Sequence, residues 1–267
     1  MSGTAEACLR LFGAAPVGQR RLHGGDLSEV TWLEFADGRN LVAKRGPRVA
    51  AEARMLGAMA AAGAPVPGVF GVTGDVLFLE ALTETAPEPA NWEAAGAALA
   101  RLHGCEGADY GWDEAYGFGR VEIDNRPAPD WPRFWAERRL LPLAGALPAA
   151  LRRRVETLAA ALNERLPRAP RAALLHGDLW HGNLLFAGAE ACFIDPACYY
   201  GHGEVDLAML ALFGRVPRAF AAGYGAEEAG AAQRRAIYQL GPALMHVALF
   251  GAAYHALVAR LLDEAGA

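Results

Sequence analysis

Residues 174–195, LLHGDLWHGNLLFAGAEACFID, concentrate more chemically specific side chains than any other part of the chain. Asp178 and Asn183 stand five residues apart in a glycine-punctuated loop. Asp195 follows an apolar run, Ala191 to Ile194, whose composition predicts a buried strand. Phosphoryl transfer needs this set: one acid to accept or orient a hydroxyl proton, and an amide with a second acid to hold Mg²⁺ against nucleotide phosphates. The spacing His176-x-Asp178-x-x-x-x-Asn183, with an aspartate at the end of a strand after it, fits that chemistry. Asp178 is therefore the candidate catalytic acid/base, and Asn183 and Asp195 are the candidate metal ligands.

The chain before this stretch supplies the other half of such a site. From Gly24 to Lys44 apolar residues alternate through Val30, Trp32, Leu33 and Phe35, then resume at Leu41 to Ala43 after Ala36-Asp37-Gly38-Arg39. An Asp-Gly between two β-rich runs predicts a hairpin. The segment Leu22 to Ser28 contains Gly24 and Gly25, which suit a turn whose backbone approaches phosphates. Lys44 closes the strand LVAK and is placed to neutralise phosphate charge, with Glu52 as partner near the start of a helix over Ala50 to Ala62. Pro47 suits the first turn of that helix, and Gly63 to Pro67 stops it. Val69 to Val72 and Val76 to Leu79 complete a sheet of about five strands, and a further helix spans Ser2 to Phe12. On the phosphoryl-transfer pattern that the Asp178 loop fits, Glu80 and Leu82 fall where backbone groups are presented to adenine. The polar stretch Thr83 to Pro89 marks the expected division into an N-terminal nucleotide-binding lobe, 1–82, and a C-terminal lobe, 83–267.

Asn91 is expected to cap a helix over Trp92 to His103, and Asp130 one through Trp135 and Leu140. Between them Tyr110 to Asp130 has no clear period, and a long irregular insert of this kind is expected to border an acceptor pocket. Amphipathic helices follow over Leu147 to Leu166 and Glu204 to Phe213, then a helical core from Arg215 to Leu262. Asp206 is expected to brace the catalytic loop from beneath; His246 and His255 read as packed or surface histidines.

The segments HGDLWHGN and IDPACYYGHGEVDLAMLALFG resemble the fructosamine kinase family, the ketosamine-3-kinases, within the protein-kinase-like and aminoglycoside-phosphotransferase-like group. The likeness runs from Gly24-Gly25-Asp26 to the region of Tyr254. It implies an α+β bilobal protein-kinase-like fold, a small antiparallel sheet lobe and a larger, mainly helical lobe. It also implies ATP and Mg²⁺ as cofactors, with a glycated amine or glycated protein as acceptor. Phosphorylation at O3 of a ribulosamine or fructosamine makes the adduct unstable and frees the amine. Trp180 would flank the sugar. His181 stands where the family carries Ser, and His202-Gly203-Glu204 where His-Arg-Glu is usual, so His181 and His202 are placed near the acceptor.

A chain of 267 residues, 53% hydrophobic, is long enough to bury a large core or two lobes. A net charge of −5 argues against a nonspecific nucleic-acid binder. No apolar run escapes Arg, Glu or Pro for the roughly 20 residues of a bilayer span, so neither nucleic acid nor membrane is an expected partner. Cys8, Cys105, Cys192 and Cys198 show no CxxC pairing and read as free thiols of a cytoplasmic protein. Three rivals remain open at this stage. One is a transition-metal hydrolase built on His176, Asp178, His181, Asp195 and His202. The others are a kinase of the same fold acting on an aminoglycoside, choline or another sugar, and a nucleotide-binding pseudokinase.

Overall fold

The computed structural model describes residues 3–22, 28–188 and 190–267. The expected turn with Gly24 and Gly25 lies outside the described residues. A first helix, α1 (Gly3–Phe12), precedes β1 (Gly18–Arg21), β2 (Glu29–Glu34) and β3 (Asn40–Arg45); α2 (Val49–Ala61) leads to β4 (Val69–Thr73) and β5 (Val76–Glu80). The five strands form one antiparallel sheet in the order β1-β2-β3-β5-β4. Strand β1 reads GQRR, a polar edge strand without apolar alternation, which is why its sequence carried no strand signal.

The two-residue period of β3 sorts its side chains to opposite faces. Leu41 and Ala43 pack with Leu33, Phe35 and Phe78 under α1. Val42 falls on the other face, with Leu77, Leu79 and the α2 residues Val49 and Leu56, and Lys44, two positions on, shares it. Helix α2 begins at Val49, so Pro47 precedes the helix and does not form its first turn. Its far side carries Met55 and Met59, fully buried against Leu174, Leu179 and Phe193. The same helix thus closes the sheet and fastens it to the second half of the chain.

Helix α3 (Pro89–His103) starts earlier than expected. Asn91 is not the N-cap; it stands in the first turn, where Oδ1 accepts the Glu88 N–H (2.8 Å) and Nδ2 donates to the Gly188 carbonyl (2.9 Å). Pro89 supplies the first helical position, where its missing N–H costs nothing. The insert expected to be irregular folds in part into a hairpin, β6 (Tyr116–Phe118) and β7 (Val121–Ile123). Arg48 Nη1 donates to the Gly119 carbonyl (3.0 Å) and Arg120 Nη2 to that of Ala248 (2.8 Å), so the hairpin is tied to both halves of the molecule.

Asp130 caps α4 (Trp131–Trp135), accepting from the Arg133 N–H at 2.8 Å. A π-helical turn, Ala136–Leu140, continues it into α5 (Leu141–Ala144). The helix expected over Leu147 to Leu166 breaks into α6 (Ala149–Ala160) and α7 (Leu162–Arg165). Strand β8 (Ala173–Leu175) precedes the catalytic-type loop; β9 (Leu184–Ala187) and β10 (Glu190–Phe193) form a hairpin, and β11 (Tyr199–Gly201) returns to pair with β8. Helices α8 (Glu204–Leu210), α9 (Arg218–Tyr224), α10 (Ala231–Phe250) and α11 (His255–Glu264) follow. Ala231–Glu264 is long and apolar enough to cross a membrane by length and composition. Here α10 buries Leu240, Ala243, Leu244 and Val247 in a core centred on Trp131, Trp135 and Tyr238.

Phe193 is fully buried where α2 meets β10. Phe193→Ala is expected to destabilise the protein by about 3–5 kcal/mol, whereas Phe70→Ala on the exposed face of β4 costs about 0.5 kcal/mol or less. Denaturant unfolding of the two variants checks the difference.

Candidate active site

The structure brings Lys44, Glu52, Asp178, Asn183 and Asp195 to one cavity of about 1730 Å³ between sheet and helical region. Lys44 ends the α2-facing row of β3, and its ammonium lies 2.7 Å from Glu52 Oε2 and 2.9 Å from Asp195 Oδ1. Its side chain and that of Glu52 are buried; Asp195 is open to the cavity. Burial opposes the charge on Lys44, but the carboxylates of Glu52 and Asp195 outweigh it and hold the ammonium above its ordinary pKa.

Asp195 is the one non-glycine residue among those described with positive φ, 54°. Aspartate is among the non-glycine residues enriched in this left-handed region, where the conformation still costs on the order of 1–3 kcal/mol. Asp178 lines the same cavity. Asn183 Nδ2 donates to the Asp178 carbonyl (2.7 Å) and to its Oδ2 (3.2 Å), which leaves the Asn183 amide oxygen for a ligand. Burial first, and the nearby Asp195 charge second, push the Asp178 carboxyl up to about 7. An acid/base poised there suits proton transfer near neutral pH.

The loop holding Asp178 is fastened from beneath. Asp206, fully buried at the start of α8, accepts the backbone N–H groups of His176 (2.8 Å) and Gly177 (2.9 Å) and faces His103 Nε2 at 3.1 Å. Burial opposes its charge, but the hydrogen bond with His103 above all, together with that from the Gly177 N–H, outweighs burial and keeps Asp206 below the usual carboxylate range. Gly177 sits at φ 81° with the Ala197 carbonyl where a Cβ would go, so only glycine fits. His176 Nε2 donates to the Ile194 carbonyl (2.9 Å), and Nδ1 accepts from the Asp178 N–H (3.2 Å). Both ring nitrogens are spent on backbone, and burial keeps the ring neutral.

Two of the expected acceptor residues lie elsewhere. His181 does not line the cavity: its ring packs on Gly214 and stands edge-on to Trp92, 5.5 Å between centroids. His202 is buried behind β11, where Trp131 Nε1 donates to the Tyr238 hydroxyl (3.0 Å) and that hydroxyl donates to His202 Nδ1 (2.7 Å). His202 Nε2 faces Glu228 (3.4 Å) in a cluster whose cation is Arg234, held by Nε on Glu204 at 2.8 Å. Gly203, the other departure from the family pattern, abuts His103, whose Nδ1 lies 2.8 Å from where a Cβ would be. With none of His176, His181 and His202 facing Asp178 and Asp195, the hydrolase arrangement has no imidazole ligands.

Trp180 lines the cavity and is half-exposed, and Glu80, the last residue of β5, and Leu82 line it as well. The Glu80 carboxylate accepts the Gly68 N–H at 3.0 Å. Tyr116 on β6 lines the cavity from within the insert expected to border an acceptor pocket; sequence reasoning did not single it out, and it missed the aromatic residues at the end of α10, including His246. Tyr116 had no periodicity to mark it; Met245, Leu249 and Phe250 around His246 matched the helical core pattern too well to stand out.

This fold and site define a protein-kinase-like phosphotransferase with an alcohol group as acceptor. The chain belongs to the fructosamine kinase family, whose model matches residues 12–266. It is 38% identical over 242 residues to a Thermus thermophilus protein named "Probable ketoamine kinase", covering 87% of this chain and 88% of that one. A solved candidate fructosamine-3-kinase from Thermobifida fusca superposes with a TM-score of 0.89 at 34% identity, covering 99% of each chain. An amicoumacin kinase solved with AMP-PNP, Ca²⁺ and Ami shares the fold alone: TM-score 0.68, 16% identity, 97% of this chain and 91% of that one.

A carboxyl with its folded pKa raised from 3.8 to about 7 binds more protons folded than unfolded between those values. Its contribution to stability is therefore lost as pH rises through that window. Asp178→Asn is expected to gain stability over wild type by about 2–4 kcal/mol at pH 8 and by close to nothing at pH 4. Paired unfolding curves at the two pH values check the sign.

Proposed function

We propose that the protein transfers the γ-phosphoryl of ATP to the O3 hydroxyl of a ketosamine such as a ribulosamine or fructosamine. The carrying observation is the Lys44 ammonium, 2.7 Å from Glu52 and 2.9 Å from Asp195, in one cavity with Asp178 and Asn183. Membership of the fructosamine kinase family supports the acceptor.

In this reading Lys44 offsets charge on the nucleotide phosphates, and Glu52 fixes its ammonium. The Asn183 amide oxygen and the Asp195 carboxylate are hard oxygen donors that fit Mg²⁺, whose charge offsets that of the transferring phosphoryl. Asp178 accepts the proton of the acceptor hydroxyl as its oxygen bonds to the γ-phosphorus and the bridge to the β-phosphate breaks, releasing ADP. Trp180 flanks the sugar, and Glu80 and Leu82 border the base. The O3-phosphorylated adduct then breaks down and frees the amine, a repair of glycated amines or proteins. Four free cysteines and a need for ATP fit the reducing cytoplasm.

A panel of ribulosamine, fructosamine, choline and an aminoglycoside with ATP and Mg²⁺ tests the acceptor. Wild type is expected to turn over a ketosamine, and Asp178→Ala to lower kcat by about 10²- to 10⁴-fold while remaining folded. ATP consumption with choline or the aminoglycoside alone would leave the phosphotransferase and remove the deglycation role.

A further inference from the structure

Beyond Asp178 the cavity runs to a cluster of aromatic rings. Phe213 and His246 stand 4.9 Å apart, His246 lies 5.6 Å from Phe250 and 4.9 Å from Tyr254, and Phe250 and Tyr254 are 6.0 Å apart. All four line the cavity together with Trp180. Phe213 is 44% exposed, Phe250 45% and Trp180 43%. The cluster adjoins the catalytic loop, because Gly214, next to Phe213, packs on the ring of His181. Single exposed aromatics are ordinary on a soluble protein, but a contiguous group at a cavity mouth marks a ligand site.

His246 gives that group a polarity. Its Nδ1 lies 2.8 Å from the Pro242 carbonyl, which can only accept, so Nδ1 carries the proton. Burial holds the ring below its ordinary pKa, and hence neutral. That leaves Nε2 with a lone pair that no hydrogen bond among the described residues uses. Arg120, which reaches the same end of α10, is held on the carbonyls of Ala248 and Leu249 and does not line the cavity. The result is an acceptor nitrogen set among aromatic rings, one of which, Tyr254, adds a hydroxyl. Anions are repelled by both features, and a neutral hydroxyl gains nothing from the ring quadrupoles. A cation that carries an N–H satisfies both.

We propose that Phe213, His246, Phe250 and Tyr254, with Trp180, form a subsite for a protonated secondary amine on the acceptor. The amine N–H donates to His246 Nε2, and its charge lies against the rings. This rests on the reading of the acceptor as a ketosamine, and it explains how the site distinguishes such a compound from the free ketose, which has the same hydroxyls and no ammonium. The remainder of the amine substituent leaves over Phe250 toward solvent.

Binding of N-benzylmethylamine and of its neutral isostere benzyl methyl ether to the AMP-PNP-loaded protein tests the subsite without turnover. Wild type is expected to prefer the amine by about tenfold, and His246→Leu and Phe250→Ala to remove most of that preference. Phe250 is half-exposed, so its truncation leaves the fold intact. In turnover, the ratio of kcat/KM for fructosamine to that for fructose is expected to fall by about tenfold in both variants. Equal binding of amine and ether, or an unchanged ratio in both variants, overturns the subsite even if ketosamines are phosphorylated. Selective amine binding lost in the variants, without phosphorylation of any ketosamine, upholds the subsite and removes the acceptor reading instead.

Discussion

A single ammonium group, that of Lys44, holds the two halves of the site in register. It meets Glu52 from α2 and Asp195 from the end of β10 at once. Taking a lysine and a glutamate out of water is costly, and the pair repays it only with good geometry and further hydrogen bonding. The second carboxylate supplies that, and Asp195 in turn stays open to the cavity. A hydrophobic replacement would hold the fold as well, so this buried ion pair is better explained by what it presents to a bound triphosphate than by stability. The packing around it serves the same end. Met55 and Met59 of α2 press on Leu174, Leu179 and Phe193, so the helix that carries Glu52 is seated on the strands that flank the catalytic loop.

The oxygen-rich side is built almost wholly from backbone constraints. Asp206 collects two consecutive N–H groups, His176 spends both nitrogens on main chain, and Gly177 takes a conformation that its neighbour Ala197 forbids to any side chain. Asp195 takes a left-handed conformation at the point where its carboxylate turns into the cleft. The raised pKa of Asp178 follows from the same crowding, since a second acid and burial both disfavour its charge. Stability is given up at the acid to which the proposed reaction assigns proton transfer.

The grouping of the oxygen-rich residues was legible in the sequence because they are local. His176, Asp178, Asn183 and Asp195 fall within 20 residues, and loop spacing alone places them together. Lys44 with Glu52, and the brace from Asp206, were also legible, each from a strand or helix period. The opposite wall of the cavity was legible only in part. The Tyr110 to Asp130 insert was expected to border an acceptor pocket, and its β6–β7 hairpin lines the cavity, but the π-helical turn and the end of α10 carry a period that matches an ordinary core. His181 and His202 were drawn toward the acceptor because they adjoin the loop in sequence, yet Gly214 and Tyr238 offer their rings better-packed places on the far side. Asn91 was misplaced by three positions in its helix for a similar reason: its side chain satisfies an N–H from within the first turn as well as a cap would from outside it.

The most direct measurement is the affinity of Mg²⁺-AMP-PNP for wild type, Lys44→Met, Glu52→Gln and the double variant, by calorimetry. If Glu52 acts on the nucleotide only through the Lys44 ammonium, each single change weakens binding by about tenfold or more, and the double variant is no weaker than Lys44→Met. Losses that add in the double variant, or a Lys44→Met protein that binds like wild type, would contradict the account.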